Sequence, residues 1–272
     1  MKISHIAAII EEVAPLGAQE DFDNAGLIVG NPEAEVDKAL LCVDITPEVV
    51  AEATEAGVGM IIAHHPIIFH PLKRLTDGTY VERAVAEAIR RGIALYAAHT
   101  NLDNVRGGLS FHLAKLFGLK DVGFLAPSAE KPGTGTGAVG ELPSPAPVME
   151  FLQMVKERLG LEVVRHSAHT TASTGGSAST LSGTVRRVAI CSGSGASFIP
   201  AAKASGADIY LAGDLRYNDF LGADTGMIVA DIGHYESEYC AKEIVFDIIR
   251  KKLPNFALLR SVREKNPVKY LK

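Results

Sequence analysis

Short apolar runs alternate along this chain with stretches whose apolar residues recur every three or four positions, and that alternation predicts the order of elements. Ile3, Ile6, Ala7, Ile10 and Val13 lie at helical spacing, and Pro15 and Gly17 end the pattern. Residues 39–43 read as a buried strand. Thr46 followed by Pro47 reads as an N-cap with proline at the first helical position, so a helix is expected over residues 48–56, ended by Gly57. A second buried strand is expected at 60–63. After a loop come a helix carrying Val81, Ala84, Val85, Ala88 and Ile89, and a strand at 93–97. Strands and helices in strict alternation predict an α/β fold.

Pro127, Pro132, Gly133, Gly135 and Gly137 punctuate the chain before a second alternating block near residue 136. That block opens with a helix bearing Phe151, Leu152, Val155 and Leu159. Strands are expected at 161–164, 185–191, 208–212 and 227–230. A last helix, from about residue 236 to 252, buries Ala241, Ile244, Val245 and Ile248. The expected organisation is a first α/β domain over residues 1–125, completed by 235–272, and a second over 126–234. Residues 167–183 are rich in Ser, Thr, Ala and Gly without an apolar period, and read as a mobile surface loop with no chemistry.

With 272 residues the chain is long enough to bury a sizeable core. The balance of 27 Lys and Arg against 32 Asp and Glu gives a net charge of −5 and no basic stripe, which argues against a nucleic-acid partner. Cys42, Cys191 and Cys240 lack CxxC spacing and read as isolated thiols in a reducing compartment. No apolar run approaches the roughly 20 residues that a membrane span needs. The expectation is a cytoplasmic protein.

The most informative segment is Met60-Ile-Ile-Ala-His-His-Pro66, an apolar run that ends in two adjacent imidazoles and a proline. Pro66 cannot continue a strand ladder, so His64 and His65 sit at the carboxyl end of a buried strand, where ligands collect in open parallel sheets. Side chains of consecutive residues diverge, which suits two neighbouring metals better than chelation of one. His99 and Asp103 follow the strand at 93–97 in the same way. His234 and Glu238 follow a third strand and stand four apart, so a helix starting there puts both on one face. His64, His65 and His234 with the carboxylates of Asp103 and Glu238 make a nitrogen and oxygen donor set for Zn²⁺, Mn²⁺ or Fe²⁺. The alternative for any single segment is structural: solvated imidazoles at a strand end, a core histidine, an exposed helix carboxylate.

Two glycine-rich segments carry weaker signals. Residues 191–195 complete no phosphate-binding motif and read as a tight turn. Residues 135–140 match GxGxxG, but the context is neither strand before nor helix after, which defeats a dinucleotide site. His5, His70, His112, His166 and His169 have no partner at ligand spacing.

The chain resembles the Nif-three-like dinuclear-metal family, whose members are labelled GTP cyclohydrolase 1 type 2 homologs. The resemblance rests on Asp23-Asn-Ala-Gly-Leu-Ile-Val-Gly30, Ala63-His-His-Pro-Ile-Ile-Phe69, Ala98-His-Thr-Asn-Leu-Asp103, Gly213-Asp214 and Gly233-His-Tyr-Glu-Ser-Glu238. It implies two linked α/β domains and two metals held by His64, His65, Asp103, His234 and Glu238. His99 would lie beside them as a supporting or catalytic group, and the assembly would be a ring-shaped homohexamer. Asn218 and Ala212 depart from the family pattern, which puts a pocket role for the segment around Asp214 in doubt. The activity implied is metal-dependent hydrolysis of a small molecule, with ring opening of GTP as the named candidate. The alternative is a non-catalytic, metal-binding adaptor that holds partner proteins.

Overall fold

The computed structural model describes residues 1–167, 183–222 and 226–271. In chain order the elements are α1 (Ile3–Glu11), β1 (Gly26–Val29), β2 (Lys38–Cys42), α2 (Pro47–Glu55), β3 (Met60–Ala63), α3 (Tyr80–Arg91), β4 (Ala94–Ala97), α4 (Thr100–Asp103), α5 (Leu109–Leu116), β5 (Lys120–Pro127) and β6 (Gly135–Pro147). There follow α6 (Val148–Leu159), β7 (Arg165–His166), β8 (Thr184–Ser194), α7 (Ile199–Ala204), β9 (Ile209–Gly213), α8 (Tyr217–Leu221), β10 (Ile228–Asp231), α9 (His234–Glu238), α10 (Ala241–Lys252) and β11 (Ala257–Arg260). They form two compact units, one of residues 1–108 with 239–269 and the other of residues 109–238 with 270–272.

The first unit holds a five-stranded sheet in the order β1-β4-β3-β2-β11. β2, β3, β4 and β11 run parallel, and β1 lies antiparallel on β4. Every residue of β3 and β4 is buried, as expected of strands covered on both faces. Leu40, Ile61 and Leu95 pack with Val49, Val50 and Ala53 of α2 and Ala84, Val85 and Ala88 of α3. Thr46 Oγ1 accepts from Val49 N and Pro47 opens α2, so this N-terminus forms as the sequence predicts. Register fixes the site: Ala63 pairs with Cys42 on one side and Ala97 on the other, so three strands end level. Asp44, His64, His65 and His99 all follow from that edge.

The second unit carries a six-stranded sheet in the order β5-β6-β8-β9-β10-β7. β8, β9 and β10 are parallel, and the other pairings are antiparallel. Its core gathers Ala189, Tyr210, Val229 and Met227 with Ile199 and Ala202 of α7. The parallel strands again end together, with Ser194 opposite Gly213 and Ala212 opposite Asp231.

Several elements differ from expectation. β6 occupies the Gly- and Pro-rich stretch read as a transition, and residues 135–140 lie inside it, in no strand-to-helix turn. The strand expected at 161–164 is displaced to β7, because Gly160 caps α6 in the left-handed conformation and Glu162 and Val163 are exposed. The last helix is interrupted at residues 239–240, where the division between units falls. The surface loop expected at 167–183 lies, between its end residues, outside the described residues, as does His169. Among the described residues no helix is long and apolar enough to cross a membrane.

Candidate metal centre

In the first unit the ladder runs one step past β3, with His64 N donating to Cys42 O at 3.2 Å and His65 N to Val43 O at 2.9 Å. Both imidazoles are thereby fixed at the sheet edge. His64 is buried, and its Nδ1 lies 2.7 Å from the carbonyl oxygen of Ala98. A carbonyl only accepts, so Nδ1 carries the proton and Nε2 presents its lone pair. His65 Nδ1 donates to Asp44 Oδ1 at 2.9 Å, with the same result. Asp103, in the short helix α4, places Oδ2 3.8 Å from His64 Nε2.

His99 joins this group from the end of β4. Its ring centroid lies 5.3 Å from that of His64 and 5.4 Å from that of His65. One donor atom from each of the three imidazoles falls within 4.8 Å of the others. His99 Nδ1 donates to Asp23 Oδ1 at 2.7 Å, and Asp23 Oδ2 accepts from Thr100 N at 3.0 Å and from the Thr100 hydroxyl. The Asp23 side chain has no exposed surface. Burial alone would raise its pKa, but the hydrogen bonds from His99 and Thr100 outweigh this and hold the carboxyl at about 2. Asp23 therefore stays ionised beside His99.

The second unit supplies the other two predicted ligands. His234 opens α9 and Glu238 closes it, so the four-residue spacing brings His234 Nε2 to 2.9 Å from Glu238 Oε2. His234 Nδ1 donates to Asp214 Oδ2 at 2.7 Å. Burial pushes the His234 pKa down, but the Glu238 and Asp214 carboxylates prevail and lift it to about 9. Two glycines make room for this pair. A Cβ on Gly193, at φ +63°, would overlap Glu238 Oε1, and one on Gly213 would come within 2.8 Å of His234 N. Gly193 N also donates to Ser237 Oγ at 2.9 Å, which ties the end of β8 to α9.

Among the residues read from the sequence, the first unit thus brings His64, His65, His99 and Asp103 together, and the second pairs His234 with Glu238. Three contributions were missed or put in doubt. Asp44 follows β2 at the same strand-end position that singled out the histidines, and that position was the available signal. The residues 191–195 segment serves the site through a missing side chain at Gly193. Asp214 supports His234 despite Asn218 and Ala212 nearby, while Tyr217 of the same segment is exposed.

The donor chemistry fits metal binding. Each imidazole is locked with Nε2 outward by an acceptor at Nδ1, the arrangement that orients histidine ligands and raises their basicity. These histidine and glutamate groups could hold a metal ion. An α/β chain with imidazole and carboxylate donors at the carboxyl ends of parallel strands is the class of protein that fold and site define.

The chain belongs to the Duf34/NIF3 (NGG1p interacting factor 3) family, whose profile matches residues 1–267. It is 34% identical over 275 residues to a Clostridium perfringens protein named GTP cyclohydrolase 1 type 2 homolog, covering all of both chains. It is 35% identical over 270 residues to a Lactococcus lactis protein of the same name, covering 98% of each. Among solved structures, a Staphylococcus aureus hypothetical protein superposes with a TM-score of 0.88 at 27% identity, over 100% of this chain and 99% of that one. A Bacillus cereus protein related to NIF3 has the same fold, with a TM-score of 0.88 at 23% identity over 100% of this chain and 99% of that one.

Proposed function

We propose that this protein is a metal-dependent hydrolase in which His64, His65, Asp103, His234 and Glu238 hold two divalent cations, with zinc, manganese or iron as the fitting ions. The observation that carries this reading is the shared orientation of the imidazoles: Ala98 O, Asp44 and Asp214 each occupy an Nδ1 and so aim an Nε2 at the donor cluster. A histidine in a purely structural role needs no such uniformity. Donors of nitrogen and oxygen without thiolate suit hard-to-borderline divalent cations. When bound, such a pair of cations activates water and stabilises the charge that develops on a hydrolysed group.

His99 stands apart from that ligand set in this reading. Its Nδ1 is held by an ionised carboxylate, so its Nε2 can take a proton from the attacking water and return it to the leaving nitrogen or oxygen. The name shared by the Clostridium perfringens and Lactococcus lactis relatives supports GTP as the first substrate to test. In that reaction water adds at C8 of the guanine ring and a ring C–N bond opens. The cytoplasmic location and the homohexamer expected from the resemblance belong to the same proposal, and light scattering at micromolar concentration tests the latter.

The deciding experiment incubates metal-loaded protein with GTP and a panel of phosphoesters and cyclic amides, with His64→Ala as control. Ring-opened product from GTP supports the full reading. Cleavage of another ester or amide keeps the reaction class and removes the substrate. No turnover, together with a partner protein retained specifically by the metal-loaded form, moves the assignment to a metal-binding adaptor.

A further inference from the structure

We propose that Phe22 and Phe69 form an aromatic wall beside His99 that binds the flat heteroaromatic ring of the substrate. This rests on the hydrolase reading and names the substrate class for that site. Phe22 is 66% exposed and Phe69 41% exposed. One solvent-facing phenylalanine requires no explanation, whereas two packed on each other next to a polar constellation mark a binding surface. The ring centroids of Phe22 and Phe69 are 6.2 Å apart with planes inclined by 60°. Phe69 in turn lies 6.2 Å from the His99 ring at 83°. The aromatic surface therefore runs continuously from solvent to the imidazole assigned to proton transfer.

The wall is built rather than incidental. Pro66 ends the β3 ladder and turns the chain, so that Phe69 follows His65 by only four residues. Asn24 Nδ2 donates to Ile68 O at 2.7 Å, which ties the loop carrying Phe22 to the loop carrying Phe69. Between Phe22 and Asn24, Asp23 holds His99. One short segment thus supplies an aromatic face, the carboxylate behind the catalytic imidazole and the cross-link to the second aromatic loop. Aromatic faces select for planar π systems, which stack on them or meet their edges, in preference to a bare phosphate.

Equilibrium dialysis of the metal-loaded protein, with guanosine, adenosine and inorganic triphosphate as probes, tests the proposal. Phe22→Ala, Phe69→Ala and the double variant should bind the nucleosides about 5- to 100-fold more weakly, the range that loss of one aromatic stacking partner gives. Metal content and triphosphate binding should not change. Phe69→Trp should retain the nucleosides, and because the chain has no other tryptophan its emission should respond to guanosine. Nucleoside affinity that is absent in the wild type, or equal in wild type and alanine variants, overturns the proposal. A drop in assembly mass in the alanine variants without an effect on ligand reassigns the pair to contact between copies of the chain and also overturns it. The two readings fail separately: hydrolysis unaffected by the alanine variants removes only the wall, and phenylalanine-dependent nucleoside binding without any hydrolysis removes only the enzyme.

Discussion

Asp214 reaches His234 Nδ1 at 2.7 Å from a backbone in the left-handed region, with φ at +57°. Few residues other than glycine adopt that conformation, and a short polar side chain such as aspartate tolerates it best. Its carboxylate holds the Nδ1 proton of His234 and so orients the ring with Nε2 toward Glu238. Asp214→Ala should therefore weaken metal binding about 10- to 100-fold, the usual effect of removing the partner behind a ligating histidine. Competition against a chromogenic chelator measures this. Unchanged affinity would mean that Asp214 is a surface carboxylate and that His234 needs no support.

Gly193 is a second place where the backbone serves the ligands. Alanine at this position meets Glu238 Oε1 and must also adopt φ +63°. Gly206 has φ +73° but nothing within 4 Å of an added Cβ, so it isolates the backbone penalty. Gly206→Ala should lose about 1 kcal/mol of stability in thermal melts, and Gly193→Ala should lose more because its Cβ also meets Glu238. Only Gly193→Ala should lose bound metal, as read by elemental analysis, and Glu238→Ala should lose it too. Retention of metal by Gly193→Ala would show that the Glu238 carboxylate can move without consequence.

The sequence made the strand ends legible because each is an apolar run broken by residues that cannot be buried unpaired. His64, His65, His99, Asp103 and the His234–Glu238 pair were all visible by that rule. What it missed is instructive. Asp44 occupies the equivalent position after β2, but a lone acidic residue before a helix reads as ordinary surface. Gly193 acts by having no side chain, and no periodicity reports an absence. β6 hid behind Gly135, Gly137, Pro143 and Pro145, since local propensity counted them as loop while pairing to β5 and β8 decides the outcome. β11 is only four residues long, and its place beside β2 is a long-range pairing that spacing along the chain does not encode.

His99 and Asp23 lead to a separation of rate from metal content. A proton-transfer group contributes about 10²- to 10⁴-fold to turnover without holding the ion. His99→Ala should lower hydrolysis by that order on whichever substrate is cleaved, and leave metal content within error of wild type. Asp23→Asn keeps the shape but removes the charge at the 2.7 Å contact, and should give a smaller loss of rate. If His99→Ala empties the site, the imidazole is a ligand, consistent with its donor atom falling within 4.8 Å of those of His64 and His65, and the catalytic assignment fails.

The raised pKa of His234 makes the stability of the metal-free protein depend on pH in a defined direction. Burial opposes protonation, but Glu238 and Asp214 together lift the group from 6.5 to about 9. The folded state therefore holds a proton on His234 between these values that the unfolded chain has released. Its contribution to stability is fully present below about pH 6.5 and is lost as pH rises through 9. The melting temperature of chelator-stripped wild type should fall across that window relative to that of His234→Gln measured beside it, whose other groups titrate alike. Metal must displace the same proton to reach Nε2, so affinity should climb with pH up to about 9, by at most about tenfold per unit for one proton. The loaded protein has already released that proton and should lack this part of the slope. Parallel melting curves for stripped wild type and His234→Gln would refute the charged His234–Glu238 pair.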